Sequence, residues 1–168
     1  MEKKFELTDK FVFNTFGIKL FQIKCTKSFK YAKEGDLGGY VEKDENLDQE
    51  SNAWVYGDAW VYGNARVSGD ARVYGNARVS GDARVYGDAD IENDNNHCGF
   101  DCFGSCNRHT HAYLTKDNKV EITCGCFRGS IEEFEKKVEK THSGTIYEKQ
   151  YKAIINVIKI KFGLTDLI

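Results

Sequence analysis

From Ala53 to Asp94 the chain repeats every six residues: AWVYGD, AWVYGN, ARVSGD, ARVYGN, ARVSGD, ARVYGD and ADIEND. Ala opens each hexad, Val or once Ile91 holds the third place, Gly the fifth in the first six hexads, and Asp or Asn the sixth through Asp94. Small or β-branched residues at positions one and three, with a polar or large residue between, give the two-residue alternation of a strand with Ala and Val on one face. Gly followed by Asp or Asn supplies residues that tolerate positive φ at a tight corner. The unit is therefore a short strand and a bend, and its repetition predicts a parallel β-solenoid. If three bends close a turn, each coil takes 18 residues. Coils then stack at about 4.8 Å.

This stretch resembles the hexapeptide-repeat, left-handed β-helix family, although its Gly lies two residues after the aliphatic position rather than directly after it. The left hand and the triangular section come from the resemblance. Val41 and Leu47 fall on the six-residue phase of Ala53, so the solenoid is expected to span 41–94 as about three coils of 18. The expected fold is mainly β: a left-handed parallel β-helix capped by an N-terminal β segment and by a C-terminal β-hairpin with two α-helices. The expected segments are 1–35, an N-terminal β cap; 36–96, the solenoid; and 97–168, a C-terminal cap and oligomerisation region.

Residues 18 apart should stack on the outside: Trp54 with Arg72 and Asp90, Tyr56 with Tyr74, Trp60 with Arg78, and Arg66 with Arg84. Trp under Arg is a cation–π step. These ladders either only stabilise a thin solenoid or present a binding surface, since Trp, Tyr and Arg are enriched at interface hot spots. The candidate surface is Trp54, Tyr56, Trp60, Tyr62, Arg66, Arg72, Tyr74, Arg78, Arg84 and Tyr86. Arg66 over Arg84 is the pair expected to need an external anion.

Open solenoid ends must be covered. Phe11-Val12-Phe13 and Leu20-Phe21-Gln22-Ile23, with Gly17 between, read as a hairpin or small sheet. Residues 35–41 read as the turn leading into the first coil. Further on, residues 110–114 and 120–124 read as a second hairpin. Pairing Leu114 with Ile122, Ala112 with Cys124 and Thr110 with Cys126 gives it one apolar face. His109, His111, Tyr113, Glu121 and Thr123 share the other. Ser130-Ile131-Glu132-Glu133 and Thr145-Ile146-Tyr147-Glu148 have capping-box form. The stripe Tyr147, Tyr151, Ile154, Ile155, Ile158 and Phe162 marks a helix packed on a core, stopped by Gly163. Val157 and Ile160 lie off that stripe and suggest a dimer or trimer.

The composition is that of a folded protein, 40% apolar and 30% charged, and a net charge of −2 gives no general reason to expect nucleic acid. No run of about 18 apolar residues exists, so no spanning helix and no membrane partner is expected. Met1-Glu2-Lys3-Lys4-Phe5 lacks the apolar core of a signal peptide, so a reducing cytoplasm and free thiols are expected. His97, Cys98, Cys102, Cys106, His109 and His111 are dense enough to be weak zinc candidates. Their spacing is irregular, and Gly99, Phe100, Phe103 and Gly104 make the segment read as a packed turn. No metal, cofactor or catalytic residue is favoured. Residues 1–96 contain no His, which removes a carbonic anhydrase site on the coils. An acyltransferase using acyl-CoA would need His97, His109 or His111 as its base.

Residues 35–43, the Gly-Asn/Asp-Ala-Arg-Val repeats and residues 125–134 together resemble small phage- and prophage-encoded hexapeptide-repeat proteins. That resemblance implies a mobile-element origin without established chemistry. The leading expectation is a non-catalytic binding protein, a counter-defence inhibitor of a host protein such as a CRISPR effector, or a sponge for a small anionic nucleotide. An acyl-CoA-dependent acyltransferase and a structural phage component are the alternatives.

Overall fold

A computed structural model describes residues 3–164, which divide at Asp94/Asn95 into two compact units. The first holds three longer strands, β1 (Phe5–Phe13), β2 (Lys19–Cys25) and β3 (Leu37–Val41). Seven two-residue strands follow: β4 (Trp54–Val55), β5 (Trp60–Val61), β6 (Arg66–Val67), β7 (Arg72–Val73), β8 (Arg78–Val79), β9 (Arg84–Val85) and β10 (Asp90–Ile91). They stack in parallel on three faces: β4-β7-β10, β3-β5-β8 and β6-β9. Partners from Trp54 onward are 18 residues apart, such as Trp60 opposite Arg78. Short ladders tie each strand to the next coil, as where Trp60 N–H donates to Ala77 O and Tyr62 N–H to Val79 O. The hexad Ala and Val side chains are buried in the centre.

The corner glycines from Gly57 to Gly87 all have positive φ, and some also lie too close to the next coil for a Cβ. Gly69 has φ +72°, and a Cβ there would lie 2.7 Å from Gly87 N of the next coil. Beside the glycines runs a polar ladder: Asn52 Nδ2 donates to Asp70 Oδ1 (2.8 Å) and Asn64 Nδ2 to Asp82 Oδ1 (3.0 Å). Asp and Asn alternate from Asp58 to Asp82, and a coil takes three hexads, so each Asp in that run stacks on an Asn. Asp88 over Asp70 breaks the rule, and Asp70 also pairs with Lys30.

The first coil differs from the expected phase. Val41 pairs with Val61 and Leu47 with Val67, an offset of 20, so both occupy the Val column rather than the Ala column. Two extra residues sit in the corner before Ala53. A buried lysine fills that corner: Lys4 Nζ donates to Asp48 O (2.5 Å), Ser51 O (2.8 Å) and Ala53 O (2.9 Å). An ammonium has three donors, and here it meets three carbonyls. Gln49 Oε1 accepts from Lys4 N and Phe5 N, fixing the chain beside it. Residues 37–41 form strand β3 rather than a turn. β3 joins the antiparallel β1-β2 hairpin to the coil face, so the segment expected as a cap is one sheet with the solenoid. Gly39 crosses the core there, and a Cβ on it would lie 2.6 Å from Ala59 O.

The second unit is an antiparallel sheet of β11 (His97–Phe103), β12 (Arg108–Leu114), β13 (Val120–Cys124) and β14 (Phe127–Ser130), followed by α1 (Ile131–His142) and α2 (Ile146–Lys161). Ala112, Ile122 and Cys124 pack against Phe134, Tyr151 and Ile155. β12 pairs with β13 two residues out of the expected register, Leu114 opposite Val120 and Thr110 opposite Cys124. The cause is a tighter loop, closed by Asn118 at φ +56°. An even shift leaves the two faces unchanged. Cys126 is exposed rather than inward. The expected packed turn at 97–104 is mostly strand β11, with Cys98 and Phe100 turned to the helices. Ser130 closes a reciprocal capping box with Glu133. At α2, Thr145 Oγ1 accepts from Glu148 N, but Glu148 reaches Gly144 N instead of closing the box.

Gly39→Ala should cost about 3 kcal/mol, because the Cβ strikes backbone that cannot retreat; urea unfolding measures it. Lys4 also gives a pH signature. Burial pushes its ammonium down to about 8, against a weaker opposing pull from Asp48. Its folded pKa is thus depressed below the unfolded value of about 10.4. Its cost is fully present below about pH 8 and fades as pH rises to about 10.4, so stability should rise by roughly 3 kcal/mol across that window. The rise should be present in the wild type and missing from Lys4→Met, which also starts less stable because three carbonyls lose their donor.

Candidate functional site

The outer ladders fall in the expected register, but the three faces are not equivalent. On the first face Trp54 is only 1% exposed. Phe5 and Phe29 pack edge-on against it at 6.4 and 5.4 Å. It belongs to the core and is withdrawn from the candidate surface. Tyr56 above it is half-buried and donates its hydroxyl to Tyr31 O at 3.3 Å. Arg72 Nη2 stands 2.8 Å from Asp90 Oδ1, an ion pair without hydrogen-bond alignment. Tyr74 OH donates to Asp90 Oδ2 at 3.2 Å, and Arg72 lies over the Tyr74 ring. Burial and then the Asp90 charge push the Tyr74 phenol pKa up. This face largely satisfies itself.

The other two faces remain open. On the second, Arg78 lies 4.9 Å above the half-buried Trp60, which follows the buried Tyr40 in the stack. Tyr62 occupies the corner toward the third face, where Arg66 and Arg84 stand opposite each other and both are exposed. Arg84 is engaged within the chain, so the expectation that this pair needs an external anion is not carried forward. Arg66, Ser68 and Tyr86 border a groove of about 540 Å³ whose other wall is acidic, with Asp44, Glu45 and Glu50. Basic, aromatic and acidic groups therefore alternate across a rigid surface.

Three of the four histidines, His97, His109 and His111, gather on the face of the second unit's sheet away from the helices. His97 Nδ1 and His111 Nε2 are 3.0 Å apart, and the His109 ring lies 5.7 Å from that of His111. Asp101 Oδ1 stands 2.5 Å from His109 Nδ1, while His109 Nε2 is buried over Gly99 with no hydrogen-bond partner. The cysteines do not join them. Cys98 and Cys124 face the helices, and Cys102 and Cys106 are exposed. Burial pushes the Cys98 thiol up to about 11, the reverse of what a ligand or nucleophile needs. Among the described residues no group of three or more His, Cys, Asp or Glu is placed to hold a metal.

Sequence reasoning missed the acidic wall, because residues 44–50 come close to Arg66 only through the longer first coil. It also missed Lys4, which reads from sequence as one charge in a solvated terminus.

The family described as the YdcK β-solenoid repeat matches residues 59–75, 71–87 and 77–91. The chain thus carries a β-solenoid repeat over 59–91, in agreement with the stacked strands there. No curated protein matches the chain. Among the described residues no helix is long and apolar enough to cross a membrane.

Dialysis against a chelator should leave the thermal unfolding curve of the whole protein unchanged. A lowered transition restored by zinc would show that the histidine cluster gathers a ligand set on binding.

Proposed function

We propose that this chain is a non-catalytic binding protein that acts by protein–protein contact through the second and third faces of its solenoid. The carrying observation is the outer surface of Trp60, Tyr62, Arg66, Arg78, Arg84 and Tyr86, set on coils that the hydrogen-bond ladder holds fixed. Trp, Tyr and Arg are the residue types that dominate binding energy. A rigid platform loses little freedom on association. The acidic wall beside Arg66 makes the surface bipolar, so it fits a partner with both charges better than a uniformly anionic polymer.

The finer reading follows the resemblance. The solenoid is the left-handed, roughly three-coil hexapeptide form. The protein is phage-derived and works in the cytoplasm of a bacterial host as a dimer or trimer. Its partner is a host defence protein, such as a CRISPR effector, inhibited by occupation of its surface. The acyltransferase reading draws on the Asp101–His109 pair, but the buried His109 Nε2 has no route to a substrate.

The experiment is saturable capture of a defined host protein by the whole chain. Trp60→Ala and Arg66→Glu should each weaken it about tenfold or more, as hot-spot truncations do. Arg72→Ala, on the self-satisfied face, should leave it within about twofold. Equal losses from all three, or no saturable partner, would reject this surface.

A further inference from the structure

The first hairpin carries a pattern that the ladder surface does not use. Between Asp9 and Glu34 the chain has six lysines and no carboxylate, although the whole protein has a net charge of −2. At the hairpin tip, residues 11–18 carry no charge and three phenylalanines. These are exposed: Phe11 44%, Phe13 60% and Phe16 82%. Lys10 and Lys19 bracket them.

The strand register gathers these groups. Phe11 lies opposite Phe21 and Phe13 opposite Lys19, so all four share one face. Lys19 Nζ sits 3.9 Å above the Phe11 ring and 4.7 Å above Phe21, a cation resting on an aromatic patch. The tip is braced: Asn14 Oδ1 accepts from both Phe16 N and Ile18 N at 2.9 Å. Phe16 is thus held outward by a fixed turn. Of the β1 carboxylates, Glu6 lies toward the strand's other end, 3.9 Å from Lys24, and Asp9 sits at its middle, before Lys10.

We propose that the β1-β2 hairpin docks on an anionic lipid surface, with Phe11, Phe13 and Phe16 entering the headgroup–acyl boundary and Lys10 and Lys19 lying against lipid phosphates. An uncharged aromatic tip above a collar of cations matches the order of groups across a bilayer interface. Long lysine stems let the ammonium stay at phosphate level while the rings go deeper. A second copy fits less well. Two such tips would set lysine against lysine, and the irregularity between Leu7 and Phe11 interrupts the open edge of β1. The lack of a spanning helix does not bear on a hairpin that lies in the interface. This inference is independent of the partner proposed for the solenoid faces.

The test is co-sedimentation of the whole chain with vesicles at about 1 mM lipid, a range suited to single-anchor affinities. Binding should occur with phosphatidylcholine–phosphatidylglycerol vesicles and be weak with phosphatidylcholine alone. Lys10→Ala and Lys19→Ala should each weaken it about fivefold, and added salt should weaken it further. The triple variant Phe11→Ser, Phe13→Ser, Phe16→Ser should abolish it. These side chains are exposed, so an unchanged circular dichroism melt confirms that the variant folds, and the lysine variants test the proposal separately. No binding to anionic vesicles, or binding that survives the triple variant, would overturn it. So would a doubled mass in solution that the triple variant returns to monomer, which would assign the patch to a second copy.

Discussion

A strand two residues long makes too few ladder bonds to hold itself, and every coil strand from β4 to β10 is that short. The first unit depends on removing that weakness by stacking, so that every strand is held only while all three faces of its coil are in register. The interior this leaves is one side chain deep from each wall, and Ala with Val fills it. Larger residues go outside, where the same register lines them into ladders. The outer surface is in this sense a by-product of the inner one: Arg78 lies on Trp60 because Val79 lies on Val61.

The beginning of the stack poses a different problem, because its carbonyls have no coil before them. Lys4 meets it with an ammonium that fits three carbonyls of the longer corner. The choice is costly in desolvation, and it explains why Lys4 and Phe5 lie so close to the coils. Phe5 follows directly and covers Trp54, so one short segment closes both the polar and the apolar parts of that end.

The sequence made the coil legible because its period is short and nearly free of interruption, and because alternation within each hexad assigns faces without knowledge of the rest. The 18-residue ladders followed from that. What could not be read was whatever a distant segment does to a ladder. Nothing in AWVYGD distinguishes Trp54 from Trp60; only Phe5 and Phe29, far away in the chain, make one core and leave the other at the surface. The register of the second hairpin turned on one asparagine with positive φ, a local choice that composition does not fix. Strand β11 was hidden because Gly99 and Gly104, with Phe100 and Phe103, read as a packed turn, although Cys98 and Phe100 alternate as a strand should. Of the candidate site, the residue types were legible and their accessibility was not.

The corner ladder limits how such a chain can change length. Asparagine and aspartate alternate with an even period, whereas a coil consumes an odd number of hexads. The two patterns come back into phase only after two full coils. Loss of a single coil would keep the Ala and Val columns in step while putting Asp58, rather than Asn76, three hexads before Asp94, in exchange for the Asp70–Asp88 pair it removes. The alternating corners thus impose a parity that the Ala and Val columns do not, in a repeat that looks freely extensible.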